Sequence, residues 1–171
     1  RLKLVSDFGM RNYLVFPSYE EMVDMYEANL INNDRLYDSR NDRQQIKQTK
    51  IHAHHLIQSF SPDDKLTPEE INRIGYETIK ELTGGNFRFI VTTHTDRNHV
   101  HNHILINSVD LNSDKKLKWD YAQERNLRMI SDRLAKEAGA TIIQPNRYSH
   151  EKFEAYRKTN HKFELKQRLY F

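Results

Sequence analysis

The sequence predicts an α+β fold in two layers, with a central antiparallel sheet and with helices packed on one of its faces. Two runs of β-type residues, 87–95 and 99–109, are separated by a short polar stretch, as in a hairpin. Helical periodicity follows Thr67 and again Tyr121, so strands in mixed order have helices gathered between them. We therefore expect one face of the sheet to be covered by helices and the other to be left available.

The first third of the chain is predicted to contain one helix and one strand. Ser18 followed by Glu21 matches a capping box, and apolar residues then recur at helical spacing, which predicts a helix over residues 18 to about 30. Residues 32–48 are polar and charged and are expected to form a loop. The run KIHAHHLIQSF, residues 50–60, has the composition of a strand.

The clearest helix pattern begins at Thr67. This residue is the expected N-cap, Pro68 suits the first helical position, and Glu70 completes a capping box. The pair Gly84 and Gly85 is expected to end the helix. One apolar face is formed by Ile71, Ile74, Thr78, Ile79 and Leu82.

The last third of the chain is predicted to add two short strands and two helices. The stretch LKWD, residues 117–120, follows a turn and is expected to be a strand, as is TII at 141–143. A helix from Tyr121 to Gly139 is expected between them. The extension 144–171 is basic and is expected to be helical, which suits either a polyanionic partner or a solvated charged face. The residues expected to point inward from the helix are Leu127, Ile130, Leu134 and Ala138.

Composition limits the class of protein. A chain of 171 residues with eight Phe and nine Tyr can bury one core, so we treat 1–171 as a single domain. The absence of cysteine excludes disulfides and thiolate sites, so a transition-metal site must use His and carboxylates. No apolar run is long enough to cross a bilayer, and the sequence has no charged-then-apolar leader before a cleavage site, so we expect a cytoplasmic protein with no membrane partner.

Residues 94–107, HTDRNHVHNHILIN, place four histidines and an aspartate within ten residues. Because side chains alternate across a strand, His99, His101 and His103 should share one face, with Ile104 and Ile106 on the other.

The preceding strand tests this arrangement. If residues 95–98 form a four-residue loop, His94 pairs with His99, and Val91 then faces Asn102. This register puts the apolar positions of both strands on one face and places His94 on the histidine face, diagonal to His101.

We predict that His94, His101 and His103 bind a divalent metal ion on the open face. Neutral imidazole is the commonest nitrogen ligand of such ions, and three ligands with open positions are typical of a catalytic site. The alternatives are that these are surface histidines on a polar sheet face, or that the cluster binds metal only incidentally.

Three further residues are predicted to support the site. Asp96 is placed to accept a ring N–H from a ligand histidine and fix its tautomer. His99 is expected as a fourth ligand or as a partner of one. In the cluster His52, His54 and His55, alternation splits the members across both faces, and His55 is the one that would reach the site if its strand is adjacent.

Two segments of the sequence resemble the motifs of a known family. The segment HTDRNHVHNHILINSVDL is similar to the third motif of the relaxases of mobilisable plasmids and conjugative elements, the relaxase/mobilisation nuclease family of MobP type within the HUH endonuclease superfamily. The segment HAHHLIQSFSPDDKLTPEEINRIGYE resembles the strand and helix that precede that motif. The resemblance runs from about Leu2 to about Ile143.

The resemblance implies a site-specific and strand-specific nick at an origin of transfer, which starts conjugative transfer or mobilisation. A tyrosine hydroxyl attacks the scissile phosphate, becomes linked to the 5′ end and leaves a free 3′-OH. The histidines that match His94, His101 and His103 hold the divalent ion. The implied partners are single-stranded or hairpin origin DNA, accessory relaxosome proteins and a coupling protein.

The nucleophile departs from the family pattern. The segment RLKLVSDFGM resembles the one that directly follows the family's first motif, so we expect the nucleophilic tyrosine upstream of Arg1 and the present chain to be a fragment that lacks it. Only if that alignment were wrong would Tyr13, Tyr19 or Tyr26 be candidates, and each is otherwise a core or surface aromatic.

DNA binding requires cations for phosphates and flat side chains for bases. The same positions could also form an ordinary solvated face, and Trp119 could equally belong to the core. The predicted DNA-binding residues are Arg97, Lys115, Lys116, Trp119, Arg125 and Arg128.

Three other functions are alternatives. A replication initiator of the same superfamily would use the same chemistry, and a fragment without a nucleophile could bind single-stranded DNA without cutting it. A zinc hydrolase could also use three histidines, but the HxHxD pattern is absent. The expected cofactor is Mn²⁺ or Mg²⁺, which phosphoryl chemistry and abundance favour. By affinity, three nitrogen ligands favour Mn²⁺, Ni²⁺, Co²⁺ or Zn²⁺ over Mg²⁺.

Overall fold

The computed structural model describes residues 2–9, 24, 26–29, 31–32, 51–97, 99–113, 115–142 and 167–169. The strands in this part of the chain are β1 (Leu2–Phe8), β2 (Ala53–Ser59), β3 (Phe87–His94), β4 (His101–Asp110) and β5 (Gln167–Leu169). The two long helices are α1 (Pro68–Thr83) and α2 (Tyr121–Glu137). Residues 24, 26–29, 31 and 32 are also helical, as expected, while the predicted loop lies almost entirely outside the described residues.

The strands form one sheet in the order β1-β3-β4-β2-β5. Strands β1, β3, β4 and β2 pair antiparallel, and β5 adds to the edge of β2 in parallel. Both long helices pack against one face of this sheet. The predicted α+β class, an antiparallel sheet with helices on one face, is therefore confirmed.

Helix α1 begins and ends where the sequence predicts. The Thr67 hydroxyl accepts from the backbone N–H of Glu70, and the Glu70 carboxylate accepts from the backbone N–H of Thr67 at 2.8 Å. These bonds satisfy two of the donors that a helix N-terminus leaves unpaired. Gly84 ends the helix with φ = 60°, a left-handed conformation that glycine adopts without strain.

Two predicted strands are wrong. Residues 117–120 are not a strand, because Asp120 instead caps α2 by accepting from the backbone N–H of Gln123 at 3.0 Å. Lys116, directly before this stretch, makes an isolated β-bridge to Val109. Residues 141 and 142 are also not in a strand, and the backbone N–H of Thr141 donates to the Asp64 carboxylate.

The expected helical tail is wrong at its described residues. Gln167–Leu169 form β5, which pairs with Leu56, Ile57 and Gln58 because the edge of β2 offers unpaired backbone groups. The rest of the expected helix at 144–171 lies outside the described residues. Strand β1 was not expected, since its residues LKLVSDF do not alternate cleanly between apolar and polar.

The predicted hairpin register is wrong by two residues, although the predicted faces are right. His94 lies opposite His101, and Val91 lies opposite Ile104, so the connection between β3 and β4 has six residues instead of four. A shift by two leaves every side chain on the same face, because alternation has a period of two. The apolar pattern therefore could not distinguish the two registers.

The core lies between the sheet and the two long helices. One cluster joins the sheet to α1 and α2, and a second joins the start of α1 to the end of α2. Ser131 and Ala135 of α2 are buried in addition to Leu127, so the buried face of this helix is rotated from the predicted one. The first cluster contains Leu56, Ile79, Phe87, Phe89, Val91, Ile104, Ile106 and Leu127. Neither of the long helices is long and apolar enough to cross a membrane.

Candidate metal centre

Three histidines from two neighbouring strands converge on the sheet face opposite α1 and α2. His94 is the last residue of β3, His101 lies directly across from it on β4, and His103 follows on the same face. One ring nitrogen from each lies within 4.8 Å of the others, and this is the cluster in the described residues that could hold a metal ion. We refer to these three residues as the histidine trio.

The surroundings of the trio favour neutral imidazoles, which are the form that binds a metal. Burial, followed by the neighbouring His94 and other imidazoles, lowers the pKa of His103 to about 4. Burial and the proximity of His101 also lower the pKa of His94. Three nitrogen donors without a bound carboxylate fit a first-row divalent ion and leave positions open for substrate oxygen atoms.

Asp96 lies close to the trio in the loop after β3. Its Oδ1 atom is 4.0 Å from Nδ1 of His94, which is longer than a hydrogen bond. Its carboxylate is exposed, and a backbone hydrogen bond keeps its pKa low, so it is ionised at neutral pH. The structure thus places Asp96 near one histidine of the trio, and its role in fixing a tautomer stays a prediction.

His99 approaches His101 through its backbone. The Nδ1 atom of His101 lies 3.4 Å from the carbonyl oxygen of His99, and the two rings are 5.4 Å apart between centroids. A bond from Nδ1–H to this carbonyl leaves Nε2 of His101 for the trio.

His55 reaches the trio from β2, which pairs with β4. Its Nε2 atom lies 2.9 Å from Nδ1 of His103. The other two histidines of its cluster do not join the site. His54 lies on the opposite face, where its ring stacks on Trp119 at 5.0 Å and burial lowers its pKa, and His52 is exposed before β2 begins.

The structure brings one of the predicted DNA-binding residues close to the trio. Arg97 is exposed in the loop that connects the two histidine strands. Lys116 instead pairs with Val109, six residues beyond His103 on β4, or roughly 20 Å along the strand. Lys115, Arg125 and Arg128 are exposed away from the trio, and Trp119 packs against the main core cluster.

Tyr26 is on the histidine face but is not available for chemistry. Its hydroxyl donates to Asp7 of β1 at 3.0 Å, and only 7% of the residue is exposed. Burial, together with the Asp7 carboxylate, raises its pKa, so the phenolate needed for attack is disfavoured. Asp7 pairs with Ile90, roughly 13 Å of strand away from His94. Tyr13 and Tyr19 lie outside the described residues.

A buried chain of hydrogen bonds lies directly behind the trio and was not expected from the sequence. Asn102, between two trio residues but pointing to the helix face, accepts from the Thr93 hydroxyl at 2.7 Å. Its Nδ2 atom donates to Gln58 Oε1 at 2.9 Å and to the backbone oxygen of Ile71 at 2.8 Å. Two more hydrogen bonds extend this network. Nδ2 of Asn72 donates to the Thr93 hydroxyl at 2.9 Å, and Nε2 of Gln58 donates to the Ser131 hydroxyl at 2.7 Å.

These buried hydrogen bonds connect both long helices to three strands. The sequence held two signals of this network. Asn102 is polar where alternation calls for an apolar residue, and Gly75 lies on the apolar face of α1. A Cβ atom at Gly75 would lie 2.5 Å from Nδ2 of Asn102, so only glycine lets the helix approach this closely.

Comparison with known proteins places this geometry in a family context. A family model described as "Relaxase: MobA/VirD2-like, nuclease domain" matches residues 18–140. The chain is 41% identical over 138 residues to the group II intron-interrupted relaxase LtrB of Lactococcus lactis subsp. cremoris, which covers 72% of this chain and 24% of that protein. It is 40% identical over 98 residues to protein rlx of Staphylococcus aureus, which covers 57% of this chain and 30% of that protein. The chain therefore spans less than a third of either relative, and no solved structure matches it.

Proposed function

The chain belongs to the family of MobA/VirD2-like relaxase nuclease domains, and from this premise we propose that it forms the DNA-nicking domain of a relaxase. The proposed substrate is one strand of an origin of transfer, bound as single-stranded or hairpin DNA. The observation that carries the proposal is the convergence of three imidazoles from adjacent strands on an open sheet face.

The proposed reaction is a transesterification at phosphorus. A tyrosine hydroxyl loses its proton and attacks the scissile phosphate, the bond to the 3′ oxygen breaks, and that oxygen leaves as a 3′-OH after taking up a proton. The 5′ phosphate stays on the tyrosine, so the energy of the broken bond is kept for resealing. A divalent ion, when bound, withdraws charge from a non-bridging phosphate oxygen.

The residues of this chain position the reacting groups. The ligand nitrogens would come from His94, His101 and His103. Asp96 lies near Nδ1 of His94, and the His99 carbonyl oxygen lies near Nδ1 of His101. Arg97 is exposed in the same loop and is proposed to contact a phosphate near the cut. We propose Mn²⁺ or Mg²⁺ as the ion in the cell.

The proposed nucleophile is a tyrosine that precedes Arg1 in the full-length protein. Strand β1 runs antiparallel to β3, and Leu2 is paired with His94. A segment that precedes Leu2 would therefore enter the sheet beside the trio. No tyrosine of the described residues reaches the trio, since Tyr26 is bonded to Asp7, and Tyr76 and Tyr121 belong to the helices of the opposite layer.

For the whole protein we propose cytoplasmic action together with accessory relaxosome proteins and a coupling protein. Lys115, Lys116, Trp119, Arg125 and Arg128 are proposed to bind DNA away from the cut, where the exposed cations can contact phosphates. Because Trp119 packs on the core and on His54, we expect it to contribute less than the cations.

A cleavage assay tests the proposal. An origin-of-transfer oligonucleotide is incubated with Mn²⁺ or Mg²⁺ and either the present chain or one extended at its N-terminus through the first tyrosine-bearing motif. We expect cutting, with a protein–DNA covalent product, by the longer chain only. In that chain His94→Ala should abolish cutting and His52→Ala should retain it. Equal cutting by His94→Ala, or hydrolysis of small esters by the shorter chain, would contradict the proposal.

A further inference from the structure

His55 and His103 form an in-plane pair of imidazoles. Their facing nitrogens, Nε2 of His55 and Nδ1 of His103, are 2.9 Å apart. The ring planes differ by 8° and the centroids are 5.2 Å apart, so with nitrogens this close the rings lie side by side instead of one above the other. The lone pair of an imidazole nitrogen lies in the ring plane, so this is the geometry of a hydrogen bond.

The pairing follows from the sheet. Ile57 of β2 lies opposite His103, and His55 lies opposite Leu105, so His55 and His103 are diagonal neighbours on one face. Diagonal side chains on adjacent strands are within reach of each other when both are long or aromatic. His55 is exposed, and in this pair its ring nitrogen faces that of His103.

Each trio residue has a group near its Nδ1 atom that is able to accept a hydrogen bond. For His94 this is the Asp96 carboxylate, for His101 it is the His99 carbonyl oxygen, and for His103 it is His55. If Nδ1 of each ring carries the proton and faces these groups, the nitrogen that each ring offers to a shared ion is Nε2.

We propose that His55 is a positioning residue that accepts the Nδ1 proton of His103 and so keeps Nε2 of His103 unprotonated towards the trio. The direction of this bond matters because each neutral imidazole carries one proton. If His55 donated instead, the proton of His103 would sit on Nε2 and block the ligand position. This inference rests on the metal centre of the proposed function and assigns it a residue on β2.

An imidazole acceptor differs from the usual ones. Most metal-bound histidines donate to a carboxylate or a backbone carbonyl, which cannot reverse the bond. In its neutral form His55 can both donate and accept, and that form brings no charge to the site. A variant with a carboxylate at this position should therefore bind the ion at least as tightly as the unsubstituted chain. A variant with a ring that has no nitrogen should bind the ion less tightly.

The test compares His55→Phe, which keeps a flat ring but removes the acceptor, with His55→Glu, which restores an acceptor. Mn²⁺ affinity is measured by titration calorimetry on metal-free protein, and thermal melting without metal checks that each variant is folded. We expect about 10-fold to 100-fold weaker binding for His55→Phe, and binding equal to or tighter than the unsubstituted chain for His55→Glu. The matched control, His52→Phe, replaces an exposed histidine just before β2 and should leave the affinity unchanged.

The tautomer gives a second readout that a purely structural role would not change. Ring ¹⁵N shifts of His103 in the Zn²⁺-loaded chain should show the proton on Nδ1. Unchanged Mn²⁺ affinity in His55→Phe would overturn the inference while leaving the metal centre intact. A proton on Nε2 of His103 in the loaded chain would do the same, since direct ligation of the ion by both facing nitrogens would require it. Failure of the unsubstituted chain to bind Mn²⁺ would instead overturn the metal centre itself, and this inference with it.

Discussion

Replacing Asn102 by alanine tests whether the buried hydrogen-bond network stabilises the strand that carries two of the proposed metal ligands. Asn102 is fully buried and makes hydrogen bonds to Thr93, Gln58 and the backbone of Ile71. The substitution leaves Gln58 Oε1 and the Thr93 hydroxyl proton without that partner. The backbone carbonyl of Ile71 still accepts its ordinary hydrogen bond within α1.

The expected cost follows from the number of groups left unpaired. Each buried polar group that loses its partner costs about 1–3 kcal/mol, so two such groups and a small cavity should cost about 3 kcal/mol of the free energy of unfolding. For a chain of this size one kcal/mol lowers the melting temperature by about 2–4 °C. We therefore expect a decrease of about 6–12 °C.

Calorimetric melting of the metal-free chain measures this effect. Asn112→Ala is the matched control, because Asn112 is exposed in the loop after β4 and its substitution should change stability by less than about 0.5 kcal/mol. Mn²⁺ binding to Asn102→Ala should also weaken, since β4 loses a constraint between its two proposed ligands, His101 and His103. A decrease of less than about 1 kcal/mol with unchanged Mn²⁺ affinity would refute the reasoning.

Three further predictions concern pH, packing and helix capping. The folded chain lowers the pKa of His103 to about 4, so below pH about 6.5 the unfolded chain binds more protons, and the melting temperature without metal should fall from there towards pH 4. In His103→Gln this slope should be shallower, and an equal slope would contradict the shift. Gly75→Ala should destabilise by about 1–3 kcal/mol despite its better helix propensity, because its Cβ would meet Asn102, and a stabilised variant in urea unfolding would argue against the close approach. Thr67→Ala should cost about 1 kcal/mol in the same assay, and no loss would show that the capping box contributes nothing.

Local signals in the sequence were sufficient for the ends of α1 and for the face of the trio histidines. Thr67, Glu70 and Gly84 fix the ends of α1 through bonds to their own neighbours, so no tertiary information was needed. The face of His94 was predictable because alternation depends only on parity, which the six-residue loop and the expected four-residue loop share.

Features that depend on distant partners were not predictable. The register of His94 opposite His101 is set by the length of a loop whose residues carry no short-turn signature. Strand β5 forms only because the edge of β2 is available, more than a hundred residues earlier in the chain. The bond between His55 and His103 required knowing that β2 lies beside β4, an order that the sequence alone does not give.

The most direct test of the central claim is anomalous diffraction from crystals of this chain grown with Mn²⁺. One anomalous peak should lie within coordination distance of Nε2 of His94, His101 and His103 at once, about 2.0–2.3 Å from each. Absence of a peak at saturating Mn²⁺, or a peak bound by fewer than two of these rings, would contradict the metal centre on which the proposed nicking activity depends.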